Sequence, residues 1–289
     1  MVVGDLPFKT DVVVIGAGPG GYVASIQMAR LGKSVILIDK EEVGGLCLHH
    51  GCIPSKAIIH ASDLYDELQH LNVYGISVEK PSFDARKLQE YKKKTIAKLA
   101  MGVKSLLKSY AIEVMYGKAL FTSPSAVRVE TEKGFAIIEF DNALIATGTK
   151  AVELPNMAYN GKTILSSREI LDLDEIPNQL VVVGGGYIGI EIGTAFAKLG
   201  SKVTIVEILD NILVNLDPDV AALVIKRMQD LGMEILTSSK ITDIKEQKSD
   251  QKSSLNLTIE TQEKNQGKSQ GKAGAKDKRG AKGEGQGEG

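Results

Sequence analysis

The two cysteines of the chain are the side chains best suited to covalent chemistry. Cys47 and Cys52 lie five positions apart in a segment that also holds Gly44, Gly45 and Gly51. Two thiols this close in sequence favour a redox-active pair in a reducing compartment. In a straight helix five residues rise about 7.5 Å, beyond the usual reach of a disulfide. A bridge between them therefore requires a distorted helix start, which the glycines permit.

Two other interpretations of the cysteines stay open at this point. They are unrelated buried thiols, or they join His49 and His50 as ligands of a metal ion. Adjacent histidines seldom converge on one ion, so we predict no metal site. The total of two cysteines also excludes a disulfide-dense secreted scaffold and a four-cysteine zinc site.

A glycine pattern typical of dinucleotide binding occurs twice, 168 positions apart. The glycines are Gly16, Gly18 and Gly21 in the first copy and Gly184, Gly186 and Gly189 in the second. Each copy follows an apolar strand, opens a helix and has an acid 23 residues after its first glycine, namely Asp39 and Glu207. The glycines allow a tight turn, close approach of a pyrophosphate and close packing of the helix on the strand. The acid accepts hydrogen bonds from ribose hydroxyl groups. The repeat predicts an α/β fold with two dinucleotide-binding βαβ units.

The second acid also predicts which nicotinamide nucleotide binds. Glu207 would repel a 2′-phosphate and no arginine follows it closely, so we expect NAD rather than NADP. The first acid, Asp39, is shorter and is followed by Lys40, so its ribose contact is less secure.

The order of these motifs resembles that of the pyridine nucleotide–disulfide oxidoreductases. The first glycine motif, G-G-x-C-x-x-x-x-C-I-P-S-K-A, the Ala146–Gly148 segment and the second glycine motif follow one another as in that family. Cys52–Ala57 and Gly184–Glu191 are most similar to its dihydrolipoamide dehydrogenase branch. The resemblance implies two Rossmann-like units, the first for FAD and the second for NAD, with electrons passing between dihydrolipoamide, the cysteines, FAD and NAD. Mercuric or other thiol–disulfide reduction, or a non-catalytic truncated chain, are the alternatives.

The resemblance also implies a role for each matched residue. Cys47 would exchange with the substrate and Cys52 would face the flavin, where Lys56 would pair with Glu191. Tyr187 would cover the nicotinamide pocket, unless it packs under its helix. On the FAD side the matched residues are Gly16, Gly18, Pro19, Gly20, Gly21, Asp39, Lys40, Gly44, Gly45, Lys56, Gly117, Ala146, Thr147 and Gly148. On the NAD side they are Gly184, Gly185, Gly186, Tyr187, Ile188, Gly189, Glu191, Glu207 and Ile241.

Three features depart from the family pattern. His49 and His50 replace residues that are usually Asn and an apolar side chain, and we assign neither a role. The family's second FAD segment and its interface domain, which carries a His and Glu acid–base pair, find no match here. The resemblance therefore implies impaired turnover of dihydrolipoamide, the lipoyl group of an acyltransferase partner. Family members are homodimers, but the segment that would mediate pairing is among those without a match.

Composition and charge limit the other functions. The 289 residues carry a net charge of −1, which gives no basic footprint for nucleic acid or membrane surfaces. An apolar run long enough to span a membrane is lacking, and the N-terminus does not read as a secretion signal, so we expect a cytoplasmic protein. We predict an FAD-binding domain with the redox disulfide over 1–149 and an NAD-binding domain over 150–262. The Gly- and Lys-rich residues 263–289 have no large apolar side chain, and we expect them to be disordered.

Periodicity predicts several further elements. Residues 84–109 fit an amphipathic helix, with Lys92, Lys93 and Lys94 on its solvated face. Strands are predicted at 112–117, 126–131, 135–140 and 142–146. The expected helix caps are Asp84, Ser166 and Asp217, with Pro218 at a first helical position.

Overall fold

The first half of the chain folds around a six-stranded sheet. The structure, a computed structural model, describes residues 7–248 and 253–261. The strands are β1 (Phe8–Ile15), β2 (Val35–Asp39), β3 (Glu113–Tyr116), β4 (Lys118–Ser123), β5 (Ala126–Thr131) and β6 (Gly134–Ile145). Their order is β3–β2–β1–β6–β5–β4. The pairs β3–β2, β2–β1 and β1–β6 are parallel, whereas β6–β5 and β5–β4 are antiparallel.

Four α-helices belong to this half. They are α1 (Pro19–Arg30), α2 (Gly45–His50), α3 (Cys52–His70) and α4 (Ala85–Ser109). A short 3₁₀ helix, Leu71–Tyr74, follows α3. The carboxylate of Asp84 accepts hydrogen bonds from the backbone N–H groups of Arg86 and Lys87, so the predicted cap of α4 is confirmed.

The second half repeats the βαβ arrangement on a smaller scale. Its elements are the 3₁₀ helix Glu169–Asp172, β7 (Gln179–Val183), α5 (Tyr187–Lys198), β8 (Lys202–Val206), α6 (Pro218–Asp230), β9 (Glu234–Leu236), β10 (Ser239–Lys248) and β11 (Ser253–Thr261). Strands β7, β8 and β9 form a parallel sheet, and β10 and β11 an antiparallel pair. Asp217 caps α6, which begins at Pro218, as predicted. The α/β fold class with two Rossmann-like units is therefore confirmed.

One buried apolar cluster joins the two halves. Ile58 of α3 and Leu88 of α4 pack with Ile170 of the 3₁₀ helix and with Ile192 and Phe196 of α5. All five side chains are buried. The helix that begins at Cys52 is consequently held beside the helix that follows the second glycine turn.

The strand prediction needs two corrections. Residues 134–145 form one strand where two were predicted, because the polar pair Asp141 and Asn142 interrupts the apolar pattern without interrupting the backbone pairing. Asn142 still pairs with Val12 of β1. Strand β4 was not predicted, and it lies antiparallel at the edge of the sheet.

The prediction that Lys92 lies on a solvated helix face is wrong. Lys92 is buried, with 1% of the residue exposed, whereas Lys93 and Lys94 are exposed as predicted. Nζ of Lys92 donates to the carbonyl of Leu171 and to Oδ1 of Asp172, both at 2.5 Å. The 3₁₀ segment thus covers the face of α4 on which Lys92 lies.

Candidate functional site

The cysteines form a disulfide at a break between two helices. Cys47 lies in α2, Cys52 begins α3, and their Cα atoms are 4.5 Å apart. Between the helices Gly51 leaves the helical conformation, with φ −138° and ψ −99°. This break brings the two Cα atoms closer than a continuous helix would allow. The disulfide and the distorted helix start predicted from the sequence are confirmed.

The disulfide segment packs directly on the first glycine turn. The backbone N–H of Gly44 donates to the carbonyl of Ala17 at 2.8 Å. A Cβ atom on Gly45 would lie 2.7 Å from the Cα atom of Gly18. Only a glycine therefore fits at position 45, and α2, the helix that carries Cys47, begins against the first glycine turn.

The first glycine turn has the geometry of an anion site. Gly16 has a φ of +104°, and a Cβ atom there or on Gly21 would overlap backbone atoms. At Gly18, by contrast, a Cβ atom would meet nothing within 4 Å, so the backbone is open to a ligand. Helix α1 begins at Pro19 without a side-chain cap and without an acidic residue in its first turn. Its free N–H groups and helix dipole fit a pyrophosphate.

The second glycine turn repeats this geometry. Gly184 also has a φ of +104°, and the space around Gly186 is open. Helix α5 has no side-chain cap and no acidic residue in its first turn. The residues present therefore fit a second nucleotide pyrophosphate.

Each acid predicted to contact ribose also holds its own glycine turn. Oδ2 of Asp39 accepts a hydrogen bond from the backbone N–H of Ala17 at 2.5 Å. Oε2 of Glu207 accepts one from the backbone N–H of Gly185 at 2.6 Å. The donors and the acceptors are each 168 positions apart, so the sequence repeat extends to individual hydrogen bonds. Glu207 is buried, at 9% exposure. A carboxylate has about four acceptor positions, so each acid retains capacity for ribose hydroxyls.

Other predicted cofactor residues cluster at the ends of the strands. The backbone N–H of Gly117 donates a hydrogen bond to the carbonyl of Asp39 at 2.8 Å. The backbone N–H of Ala146 donates one to the carbonyl of Ile15, also at 2.8 Å. Thr147 and Gly148 follow Ala146 and are exposed. In the second unit Ile241 is half-buried in β10, near the point where Ser239 N donates to the carbonyl of Glu207 at 2.9 Å.

The predicted ion pair between the two halves is present. Nζ of Lys56 lies 2.9 and 2.7 Å from Oε1 and Oε2 of Glu191. The two side chains are 59% and 41% exposed, so the pair does not depend on burial. Cys52 is exposed one helical turn before Lys56, which leaves this side of the disulfide open.

Tyr187 points away from the protein core. It is 70% exposed at the start of α5, and its neighbour Ile188 is 44% exposed. The alternative in which Tyr187 packs under its helix is therefore wrong. The exposed ring is available to cover a ligand on the second glycine turn.

The histidines next to the disulfide have separate partners. Nε2 of His49 lies 2.9 Å from the carbonyl of Val43, and Nε2 of His50 lies 2.7 Å from Nη2 of Arg168. Burial lowers the pKa of His50, and the neighbouring Arg168 cation lowers it further. Sequence reasoning missed Arg168, and no local pattern indicates a contact across 118 positions. In the described part of the chain, no group of three His, Cys, Asp or Glu side chains is placed to hold a metal ion.

Comparison with known proteins identifies the family. The family model for pyridine nucleotide-disulphide oxidoreductases matches residues 10–270. The chain belongs to this family. The sequence-based recognition of the family is confirmed, and the predicted cofactors, FAD and NAD, are those that this oxidoreductase family uses.

Several dihydrolipoyl dehydrogenases are similar to this family member. That of Staphylococcus aureus is 46% identical over 246 residues, which are 85% of this chain and 52% of the relative. That of Geobacillus stearothermophilus is 44% identical over 248 residues, 86% of this chain and 53% of the relative. That of Haloferax volcanii is 42% identical over 238 residues, 81% of this chain and 50% of the relative. The chain thus spans about half the length of the curated relatives it matches.

Two solved structures have a similar fold. LpdA from Mycobacterium tuberculosis superposes with a TM-score of 0.77 at 25% identity, covering 87% of this chain and 55% of the other. A Cu(II) complex of the HOCl-induced flavoprotein disulfide reductase RclA from Escherichia coli gives a TM-score of 0.70 at 27% identity, covering 86% and 55%. Within the described residues of this chain, no helix has the length and apolar character to cross a membrane.

The limits of the predicted domains and the cofactor contacts of individual residues stay predictions. The predicted disordered tail, residues 263–289, lies outside the described residues, as does residue 262 at the end of the predicted NAD-binding domain.

Proposed function

We propose that this chain supplies the FAD- and NAD-binding units of a dihydrolipoamide dehydrogenase. The observation that carries the proposal is the Cys47–Cys52 disulfide packed on the first glycine turn, with α3 running from it to the second glycine helix. The names of the relatives at 41–46% identity support the lipoyl substrate. The substrate would then be the lipoyl group of an acyltransferase partner. The cytoplasm predicted from the sequence suits a thiol pair of this kind.

The proposed chemistry gives each cysteine the role that the family resemblance implies. A substrate thiolate attacks Sγ of Cys47, which forms a mixed disulfide and releases Cys52 as a thiolate. The second substrate thiolate then breaks the mixed disulfide, so the substrate leaves oxidised and the protein holds two reduced cysteines. FAD and NAD, held on the first and second glycine turns, would supply the hydride-transfer chemistry that takes up this electron pair.

The glycine turns and the Lys56–Glu191 pair would orient the two cofactors. Gly18 and Gly186 would place their pyrophosphates at the starts of α1 and α5, where free N–H groups bind anions. Lys56 would set a cation beside the reactive edge of the flavin, and Glu191 would hold the ammonium in position. Tyr187 would exclude water from the flavin when the nicotinamide is absent.

The substrate half of the reaction needs a base that makes the thiolate. No residue of this sequence matches the family's His and Glu acid–base pair. For the 289-residue polypeptide assayed by itself, we therefore expect slow lipoamide turnover and retained NADH-to-dye activity.

The test is whether purified chain reconstituted with FAD turns yellow and is bleached by NADH without oxygen. We expect one FAD per chain, bleaching by NADH and reduction of lipoamide in preference to glutathione disulfide or Hg(II). The variant with both Cys47→Ser and Cys52→Ser should still bind FAD and reduce dyes but should not reduce lipoamide. Full-rate lipoamide turnover by the isolated chain would contradict the expected impairment. A colourless chain, or one that prefers Hg(II), would overturn the proposed function.

The other reductases of the family are the second candidate. The fold likeness to a flavoprotein disulfide reductase that was solved as a Cu(II) complex favours it. The substrate panel decides between the two, because a metal-ion reductase would use Hg(II) or Cu(II) and would leave lipoamide untouched.

A further inference from the structure

A contact between two halves of the chain reaches the segment between the cysteines. His50 is the last residue of α2, one helical turn after Cys47 and two residues before Cys52. Residues three apart on a helix share a face, so His50 lies on the same face of α2 as Cys47. Its partner Arg168 stands in the connection that leads to the second unit, just before the 3₁₀ helix Glu169–Asp172.

The chemistry of the contact fixes the protonation of the histidine. A guanidinium has five N–H donors and no acceptor. Nε2 of His50, 2.7 Å from Nη2 of Arg168, must therefore accept, which requires a neutral ring with its proton on Nδ1. A protonated ring has two donors and a positive charge, so it cannot keep this contact with Arg168.

The charged groups around His50 come from three parts of the chain. They are His49 of the same helix, Glu41 ahead of it, and Arg168 and Asp172 of the segment that packs against it. The Arg168 cation favours the neutral ring, whereas the carboxylates of Asp172 and Glu41 oppose it. Asp172 is also bound to the buried Lys92, which reduces its effect on His50.

We propose that Arg168 is a positioning residue that holds His50 as a neutral acceptor, and that protonation of His50 breaks this contact and speeds reduction of the Cys47–Cys52 disulfide. Loss of the contact frees the end of α2 and improves access to the sulfur atoms. The new cation stabilises the thiolate that leaves when an incoming thiolate attacks either sulfur, since both cysteines lie within three residues of it. Both effects act in the same direction.

The proposal concerns the disulfide of the proposed function and rests on it for relevance to turnover. Its test uses dithiothreitol, which reduces the disulfide without FAD or NAD. Attack forms a mixed disulfide and releases one cysteine thiolate, and the second thiol of the reagent then completes the reduction and leaves as a cyclic disulfide. A chain that fails to bind FAD would overturn the proposed function and leave this test intact.

The key variant is His50→Gln, whose amide oxygen can still accept from Arg168 but cannot take up a proton near neutral pH. The ratio of the wild-type rate to the His50→Gln rate at each pH cancels the ionisation of the reagent. We expect a ratio near one at pH 8 that rises about three- to tenfold as the pH falls through the titration of His50.

Two further variants separate this effect from general loosening. In Arg168→Gln the increase in reduction rate should begin at a higher pH, because the cation that opposes protonation of His50 is gone. The NMR signals of the His50 ring should titrate at the same higher pH. His49→Gln keeps an amide near the carbonyl of Val43 and leaves both His50 and Arg168 in place, so the rise should remain. Three results would overturn the proposal. The first is a ratio of wild-type to His50→Gln rates that does not change with pH. The others are an unchanged His50 titration in Arg168→Gln, or loss of the low-pH rate increase in His49→Gln as well as in His50→Gln.

Discussion

Lys56 and Glu191 join the helix that starts at the disulfide to the helix that starts at the second glycine turn. Nζ of Lys56 bonds both carboxylate oxygens, at 2.7 and 2.9 Å. With side chains 59% and 41% exposed, the pair contributes little to stability, about 0–1 kcal/mol. Its importance lies in where it holds the ammonium group.

We expect Lys56→Met to slow flavin reduction by NADH about tenfold or more while leaving the thermal midpoint nearly unchanged. The reason is that a positioned cation stabilises charge that develops during electron transfer, and this stabilisation exceeds its effect on folding. Stopped-flow absorbance measures the rate and calorimetry the midpoint.

Lys198→Met is the matched control. Lys198 pairs with Asp63 at 2.5 Å and also joins α5 to α3, but at the far end of α5 from the glycine turn. Lys198→Met should lower the thermal midpoint without changing the rate of flavin reduction by NADH. Equal slowing in both variants would mean that the Lys56 effect is only structural.

Gly18→Ala should weaken FAD binding at least about tenfold and leave the fold intact. A Cβ atom at this position meets no protein atom within 4 Å, so only the approach of the pyrophosphate is obstructed. Gly102→Ala in α4 also meets nothing within 4 Å and should instead stabilise the chain by about 0.5–1 kcal/mol. FAD titration followed by fluorescence quenching, with circular dichroism for the fold, distinguishes the two. Unchanged FAD affinity in Gly18→Ala would place the pyrophosphate elsewhere.

The parts of the site that depend on neighbouring residues could be predicted from the sequence. The glycine turns, their acids and the bent cysteine segment each depend on neighbouring residues, and the repeat fixes their register. The Lys56–Glu191 pair, 135 positions apart, came from the family resemblance. The burial of Lys92 and the contact of His50 with Arg168 were missed because they exist only once the two halves pack together. A run of three lysines looks the same in sequence whether or not another segment covers it.

Glu207 should make the second site select NADH over NADPH by about tenfold or more. With NAD bound on the second glycine turn as proposed, the buried carboxylate of Glu207 would face the adenosine ribose, and its negative charge would repel a 2′-phosphate there. Glu207→Gln should reduce the preference for NADH over NADPH. NADH itself should also bind more weakly, because the single amide oxygen cannot accept hydrogen bonds from the backbone N–H groups of both Gly185 and Leu209. Titration of each nucleotide by calorimetry gives the ratio.

Glu234→Gln is the control for this preference. Glu234 is exposed at the start of β9, where it accepts from Thr204 Oγ1 at 3.0 Å, and the substitution removes the same charge. The ratio should not change. Equal affinity of the wild type for both nucleotides would exclude Glu207 as the selecting residue.

Lys92→Ala should lower the free energy of unfolding by about 2–4 kcal/mol, because it leaves a cavity and removes buried hydrogen bonds. Lys92→Met should cost less, since it keeps most of the buried chain. The Leu171 carbonyl then still accepts from Nε2 of Gln89 at 3.0 Å, and Asp172, 61% exposed, stays hydrated. Lys93→Ala, on the exposed side of the same helix, should change stability by less than about 0.5 kcal/mol. Urea unfolding measures all three, and an Ala substitution that costs the same at both positions would show that Lys92 is not buried against the 3₁₀ segment.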